Sequence, residues 1–530
     1  MVAVKWPGFL IWICGICVVA TLCAQASAQT LHWSTARDIQ SLDPHAQNES
    51  LTNSLNAHIY EKLTARDQQL KIIPGLATSW SQPEPLRWVF KLRRGVSFHN
   101  GAAFTAEDVV FSVQRAQHPN SAVAQYARAL GQATLIDSYT VKFRLNTFNP
   151  VFLDHVDSIF IMNRAWAYGN GVLTPLSLKA KEESFASRKT MGTGPFALAE
   201  RSVDIRTTLQ RFGRYWQPIT SNVQQLIHAP ISSASTRISA LLTGAIDIVT
   251  DPPAQDLDRL SRQPNVTVLR SVENRVVFLG MDQFSATLAG STEQPNPFKQ
   301  LAVRQALAHA IDTESLRQEI FRSSVLPAWC LVPVPEGCVG ESSQLVRPAF
   351  KLSRARELMQ SAGYSNGFDV TLDCPSNRAT TDIPMCAATA AMLAKINIRV
   401  AVNPMLSTQY FAKLGRFESQ FYMLSWGGAE TDAQPTLDPL MHSNSVNEAR
   451  GAYNYGRFSN AALDQLIVAA ATEQNKQKRD LLLSNALTLH ANQIHHLVLH
   501  RQMFSWVMRK NVRVAPAANN HFRAWFAQVR

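Results

Sequence analysis

Residues 76–113 read LATSWSQPEPLRWVFKLRRGVSFHNGAAFTAEDVVFSV. The stretch predicts a short helical turn, a break, two β-strands around a turn, and a helix. Trp88, Phe90 and Leu92 alternate with Val89, Lys91 and Arg93, a period of two that suits a strand with one wetter face. Asn100-Gly101 marks a turn, because both residues tolerate positive φ. Thr105 and Asp108 have capping-box spacing, so the Thr hydroxyl can satisfy an orphan amide as a helix begins. Val109, Val113 and Ala116 then recur at helical spacing. No catalytic chemistry lies here; the stretch reads as the wall of a domain.

The pattern LA.SW…W.F.LR.GV.FH.G…TAEDV.FS resembles the signature of the peptide/opine/nickel family (family 5) of bacterial extracellular solute-binding proteins, the ligand-capturing subunits of ABC importers. Further landmarks match along the chain. LHWSTARDIQSLDPH reads as a strand and a loop at Leu42-Asp43-Pro44, and Ile59–Leu63 as helix. Ala133–Leu145 reads as a hairpin turning at Asp137-Ser138. Met191–Leu198 (MGTGPFAL) looks like a dinucleotide loop, but Pro195 removes a donor and no βαβ unit surrounds it. Its glycines are expected at a sharp chain crossing. Ser235–Val249 reads as a helix, a stop at Gly244 and a strand.

Val272–Met281 is a strand that, by the resemblance, crosses from a first lobe into a second. Asn296-Pro297-Phe298 opens a helix with Val303, Leu307 and Ile311 on one face. Helix 353–362, strand 367–372, helix 385–396 and strand 397–402 then alternate, which implies an α/β second lobe. Ser459 is expected to cap the helix ALDQLIVAA. His496–Met503 reads as a strand returning to the first lobe.

A chain of 530 residues exceeds the roughly 250–300 at which one core stops growing, so more than one domain is expected. The expected fold is α/β: a two-lobed periplasmic-binding-protein fold, class II-like and type C, with an enlarged first lobe and hinge strands. Residues 29–271, with 503–530 returning, form the first lobe, and 272–502 the second. Residues 1–28 read as a cleaved secretory signal, with Lys5, an apolar run from Phe9 to Leu22, and Ala26-Ser27-Ala28 as the cleavage site. The run is shorter than the ~20 residues needed to span a bilayer. A periplasmic location follows. Cys14 and Cys17 fall inside this segment, so their spacing is no redox motif.

Four cysteines remain: Cys330, Cys338, Cys374 and Cys386. An even number in an exported chain points to disulfides, and nearness suggests 330–338 and 374–386, although three connectivities are open. Zinc is disfavoured because no close CxxC pair exists. Formal net charge is +12, but the basic residues are scattered and no Lys/Arg-rich run interleaves with aromatics, which argues against nucleic acid.

No HExxH or P-loop occurs. Asp256 and Asp258 read as a polar helix face. His490, His495, His496 and His500 alternate along a strand without an obvious third ligand. No catalytic residue, metal or cofactor is therefore expected. Ligand capture is expected between the lobes, at the loop after FYMLSW. Trp426 beside Gly427 and Gly428 gives a flat apolar surface with close backbone approach. Dipeptide-binding members of the family carry an acid three places after this Trp, and nickel-binding members a Tyr four places after it; here those positions hold Ala429 and Glu430. Glu430 or Asp432 is left as a cation partner. By the same matching Asn48, Glu49 and Ser50 face the cleft, and Arg275, Phe278 and Asp282 lie on or beside the crossing strand. The resemblance implies a monomer that binds an oligopeptide or peptide-like solute and delivers it to an inner-membrane permease. The alternatives are an opine, sugar or metal–chelator ligand in the same fold, or a secreted hydrolase.

Overall fold

The computed structural model describes residue 2 and residues 29–530, apart from 69, 178–179, 181, 290–294, 334–336, 380, 429–431 and 446–449. The expected targeting segment, but for Val2, lies outside the described residues.

Two long antiparallel strands, Val266–Met281 and His496–Arg509, organise the molecule. They pair from Val266↔Arg509 to Gly280↔His496, with the register broken between Val272 and Val276. Beyond one end, His496–Arg509 continues into Ile248–Val249, Gln29–Thr35, Val223–Pro230, Arg206–Arg211 and Phe196–Ser202. Beyond the other, Val266–Met281 continues into Phe421–Gly427, Asp369–Pro375 and Arg399–Met405. One sheet thus runs through both lobes, and its two central strands are the connection.

The buried apolar residues divide accordingly. One cluster draws on Val276–Leu499, a second runs from Leu31 and Trp33 to Phe504, Trp506 and Val529, and a small fourth joins Ile238 and Val266 to Val507. The third lies under a separate four-stranded sheet built from the 76–113 stretch and the hairpin Gln132–Asp137/Thr140–Arg144. In that sheet Phe90 and Leu92 are buried and Lys91 is exposed, as the alternation requires.

Four expectations change. The helical turn at 76–80 is instead a strand, Ala77–Glu84, paired through Trp80↔Phe90 and Ser81↔Val89. Cross-strand packing of the Trp sets it, not local propensity. Of the two strands expected around the Asn100-Gly101 turn, the first forms as Arg87–Leu92, and the second is replaced by a single bridge, Ser97↔Ala103, around Gly101 at φ 91°. Ile59–Leu63 is not helical: the helix is Ser50–Asn56, capped by Glu49. Four backbone carbonyls of this segment are taken by distant parts of the same chain, with Phe196 N–H donating to His58, Gly194 to Ile59, Ile161 to Glu61 and Leu76 to Lys62. A segment whose carbonyls face three neighbours cannot also close i→i−4 bonds. A Cβ at Gly192 would lie 1.9 Å from the Ile59 oxygen, so the MGTGP glycines do serve a chain crossing. Finally, Asn460, not Ser459, caps helix Ala461–Thr472, its side chain accepting Leu463 N–H at 3.2 Å.

Gly244 ends helix Ala234–Thr243 at φ 87°, and helix Ala106–Ala116 starts at Thr105 as expected. The Asp108 carboxylate accepts the Thr105 N–H at 3.0 Å and the Arg164 N–H at 2.9 Å. Asp108→Ala strands both amides and is expected to cost about 2 kcal/mol in urea unfolding. A loss under ~0.5 kcal/mol would show that water replaces the carboxylate.

Candidate functional site

Between the lobes lies a cleft of about 1140 Å3. The break in the central strand pair supplies its floor. Residues 273–275 have no partner on strand His496–Arg509; the Asn274 N–H turns to the Ala518 carbonyl at 2.7 Å, and Glu273 and Arg275 line the cleft. Strand Phe421–Gly427 ends beside them, so Ser425, Trp426, Gly427 and Gly428 form part of the second-lobe wall. Loops at the carboxyl ends of parallel strands are where α/β sheets hold ligands.

Trp426 is half-buried and meets Tyr453 edge-to-face at 5.1 Å. The two glycines let the chain pass the central strand: Gly428 N–H donates to the Asn274 carbonyl at 3.2 Å, and a Cβ on Gly427 would sit 2.7 Å from that oxygen. On the first-lobe wall Asn48, Glu49 and Ser50 open helix Ser50–Asn56. Glu49 accepts the Leu51 and Thr52 amides and pairs with Arg37. Burial opposes its charge, but the Arg37 guanidinium and those amides outweigh it and hold the carboxyl down at about 2. Glu49 is therefore a charged cap that shapes the wall. Asn48 faces the Tyr453 hydroxyl of the other lobe.

Two arginines converge on one hydroxyl. Arg275 Nη1 lies 3.3 Å from Ser425 Oγ, and Arg378 Nη1 also bonds that oxygen. Each has one acid behind it: Arg275 Nε donates to Glu273 at 2.6 Å, and Arg378 Nη2 to Asp382 at 3.0 Å. Arg378 gives no motif signal, since a lone Arg in a loop has none. Its place after strand Asp369–Pro375, on the same sheet edge as Trp426, is the only hint. Cys374 and Cys386 bracket its loop as a disulfide with Cα atoms 6.7 Å apart, and Cys330–Cys338 form the other at 6.5 Å. His521 also lines the cleft and is missed by sequence reasoning. Burial, then the Arg523, Lys62 and Arg275 charges, push it to about 3, so it is neutral at pH 7.

Three expected residues lie elsewhere. Phe278 is fully buried in the second-lobe core, edge-to-face with His496 at 4.8 Å. Asp282 accepts the Phe284 and Ser285 amides and faces Arg457 at 3.5 Å. Asp432 is held by Arg479 at 2.7 and 2.8 Å. Residues 276–281 are buried without interruption, so strand alternation leaves no wet side to project into the cleft. Glu430 lies outside the described residues. His490 and His496 bond each other at 2.9 Å, and among the described residues no three His, Cys, Asp or Glu side chains gather to hold a metal. Asp256 and Asp258 pair with Arg259 and Arg270 at the surface.

The family model for bacterial extracellular solute-binding proteins, family 5 Middle, matches residues 71–448. The chain is 26% identical over 465 residues to heme-binding protein A of Haemophilus influenzae, covering 83% of this chain and 81% of that one. It is 24% identical over 487 residues to the glutathione-binding protein GsiB of Salmonella choleraesuis, covering 90% of each. Its fold matches the periplasmic binding protein DppA of Helicobacter pylori, solved with the peptide STSA, at a TM-score of 0.82 and 23% identity over 95% of this chain and 98% of that one.

Proposed function

The chain belongs to the family 5 bacterial extracellular solute-binding proteins, and from that premise we propose that its cleft captures a peptide-like solute bearing a free carboxylate. As the solute-binding component of an ABC importer it closes over the solute and hands it unchanged to a membrane permease. The observation that carries the ligand reading is the convergence of Arg275 and Arg378 on Ser425 Oγ. Glu273 and Asp382 hold the two guanidiniums from behind, and the planar forks they present toward Ser425 suit a carboxylate. Glutathione, heme and the STSA peptide, named with the proteins above, all carry carboxylates. The cleft volume, above the roughly 300–1,000 Å3 of ordinary small-molecule pockets, leaves room for several residues of peptide.

The lobes are 29–271 with 503–530, and 272–502, and the break at 272–276 is the hinge. The mature protein is a periplasmic monomer released by cleavage after Ala28. Calorimetry with a panel of free peptides tests the function. Trp426→Ala is expected to weaken the peptides bound by wild type about tenfold. Silence across the panel, or mass spectrometry showing bound peptide cleaved, would sink the reading.

A further inference from the structure

We propose that the cleft has a second, apolar subsite centred on Phe417, which takes a bulky apolar side chain of the solute whose carboxylate sits at Arg378. It rests on the peptide reading above and adds where the apolar group goes.

A ladder of rings leads away from the arginine pair. Trp426, next to Ser425, meets Tyr453 at 5.1 Å; Tyr453 meets Tyr455 at 6.0 Å; Tyr455 meets Phe417 at 6.5 Å. Phe411 and Ala412, on helix Ser407–Gly415, line the same cleft, and Ala122 and Val123 join from the first lobe. The Arg457 guanidinium, stacked over the Phe284 ring at 4.4 Å and facing Asp282 at 3.5 Å, also reaches the Phe417 ring at 5.7 Å. The cleft is therefore polar where Arg275 and Arg378 meet and apolar along this run.

The backbone at Phe417 supplies an independent argument. Helix Ser407–Gly415 ends in a Schellman motif: Phe417 N–H donates to the Leu414 carbonyl at 2.9 Å and Glu418 N–H to the Lys413 carbonyl at 3.2 Å. That geometry puts residue 417 in the left-handed region, at φ 59°. Glycine or asparagine normally stands there, because a Cβ is crowded. This chain places a large ring in the slot and leaves it 37% exposed. Arg457, which reaches it, is likewise left-handed at φ 50°. Strain that burial does not fully offset is typical of a side chain held for a ligand.

The test compares wild type and Phe417→Gly against penta-alanine, which spans about 17 Å extended, and its five single-Phe variants. Wild type should bind at least one Phe variant about tenfold tighter than penta-alanine. Phe417→Gly should erase that advantage, keep penta-alanine affinity, and melt no lower than wild type, because glycine relieves the left-handed strain. Phe417→Leu should keep most of the advantage. Loss of both affinities together, a fall in melting temperature without a change in preference, or no Phe advantage in wild type overturns the subsite. If wild type binds no peptide at all, the peptide reading fails on its own. The subsite is then read with 8-anilinonaphthalene-1-sulfonate, an aromatic anion. Its fluorescence on the folded protein should drop in Phe417→Gly, and equal fluorescence overturns the proposal.

Discussion

Replacing Arg115 by Met is expected to cost the folded chain about 3–5 kcal/mol at pH 7.5. Arg115 lies on helix Ala106–Ala116, two residues past the 76–113 stretch, and Asp43 lies in the LDP turn. Both side chains are shut off from water, and they join through Nη1–Oδ1 at 2.8 Å and Nη2–Oδ2 at 2.6 Å. Arg115 Nε also donates to the Val172 carbonyl at 2.9 Å, and Nη1 lies 3.1 Å from His45 Nδ1. His45 Nε2 therefore carries the ring proton and donates to the Phe160 carbonyl at 2.9 Å. One guanidinium thus ties the LDP turn to helix Ala106–Ala116 and to the segment at 172–174. Its removal leaves a buried carboxylate without a counter-charge.

The pH dependence follows from Asp43. In wild type burial works against its charge, but the Arg115 hydrogen bonds and charge prevail and hold the carboxyl below its ordinary 3.8. A depressed acid contributes stability above its unfolded pKa and loses it as pH falls through the folded value. Without Arg115 the desolvation is opposed chiefly by the His45 N–H, which donates to Asp43 at 3.0 Å, so the carboxyl rises, and the freed His45 Nδ1 can also take a proton. Either uptake relieves the variant in acid. The stability gap measured by urea unfolding should therefore be widest at pH 7.5 and narrow by pH 5. A gap that stays flat with pH would mean that lost packing, and not the stranded charge, sets the cost.

What could be read in the sequence depended on whether a pattern had one dry side. Trp88, Phe90 and Leu92 were legible because Lys91 on the same strand reaches water. Helix starts and stops at Thr105, Gly244 and Gly363 were legible because capping is local. The cysteine pairs were legible because each closes a short loop. Phe278 and Asp282 misled because strand 276–281 is covered on both faces, so period two carries no direction. Ile59–Leu63 misled because its carbonyls answer to Gly194, Ile161 and Leu76, far away in the chain. Arg378 stayed hidden for the same kind of reason. Its meaning comes from Ser425, brought alongside through the sheet, and no window of sequence holds both.

That arginine carries the largest expected effect on binding. Wild type should prefer a peptide with a free carboxyl terminus over its amide by about 2 kcal/mol, roughly thirtyfold, as charge-assisted hydrogen bonds are worth. Arg378→Gln should reduce that preference to a few-fold, the remainder held by Arg275. The same substitution takes a partner from Asp382, which is 3% exposed, so the variant will also lose stability. The acid–amide comparison is made within each protein, so a general loosening weakens both peptides alike and cancels, as in a double-mutant cycle. Salt should weaken the preference only modestly, because the side chain is 16% exposed and screening acts chiefly on solvated pairs. A variant that still discriminates acid from amide thirtyfold would move the carboxylate away from Arg378 and leave Arg37, Lys62 or Arg275 to hold it.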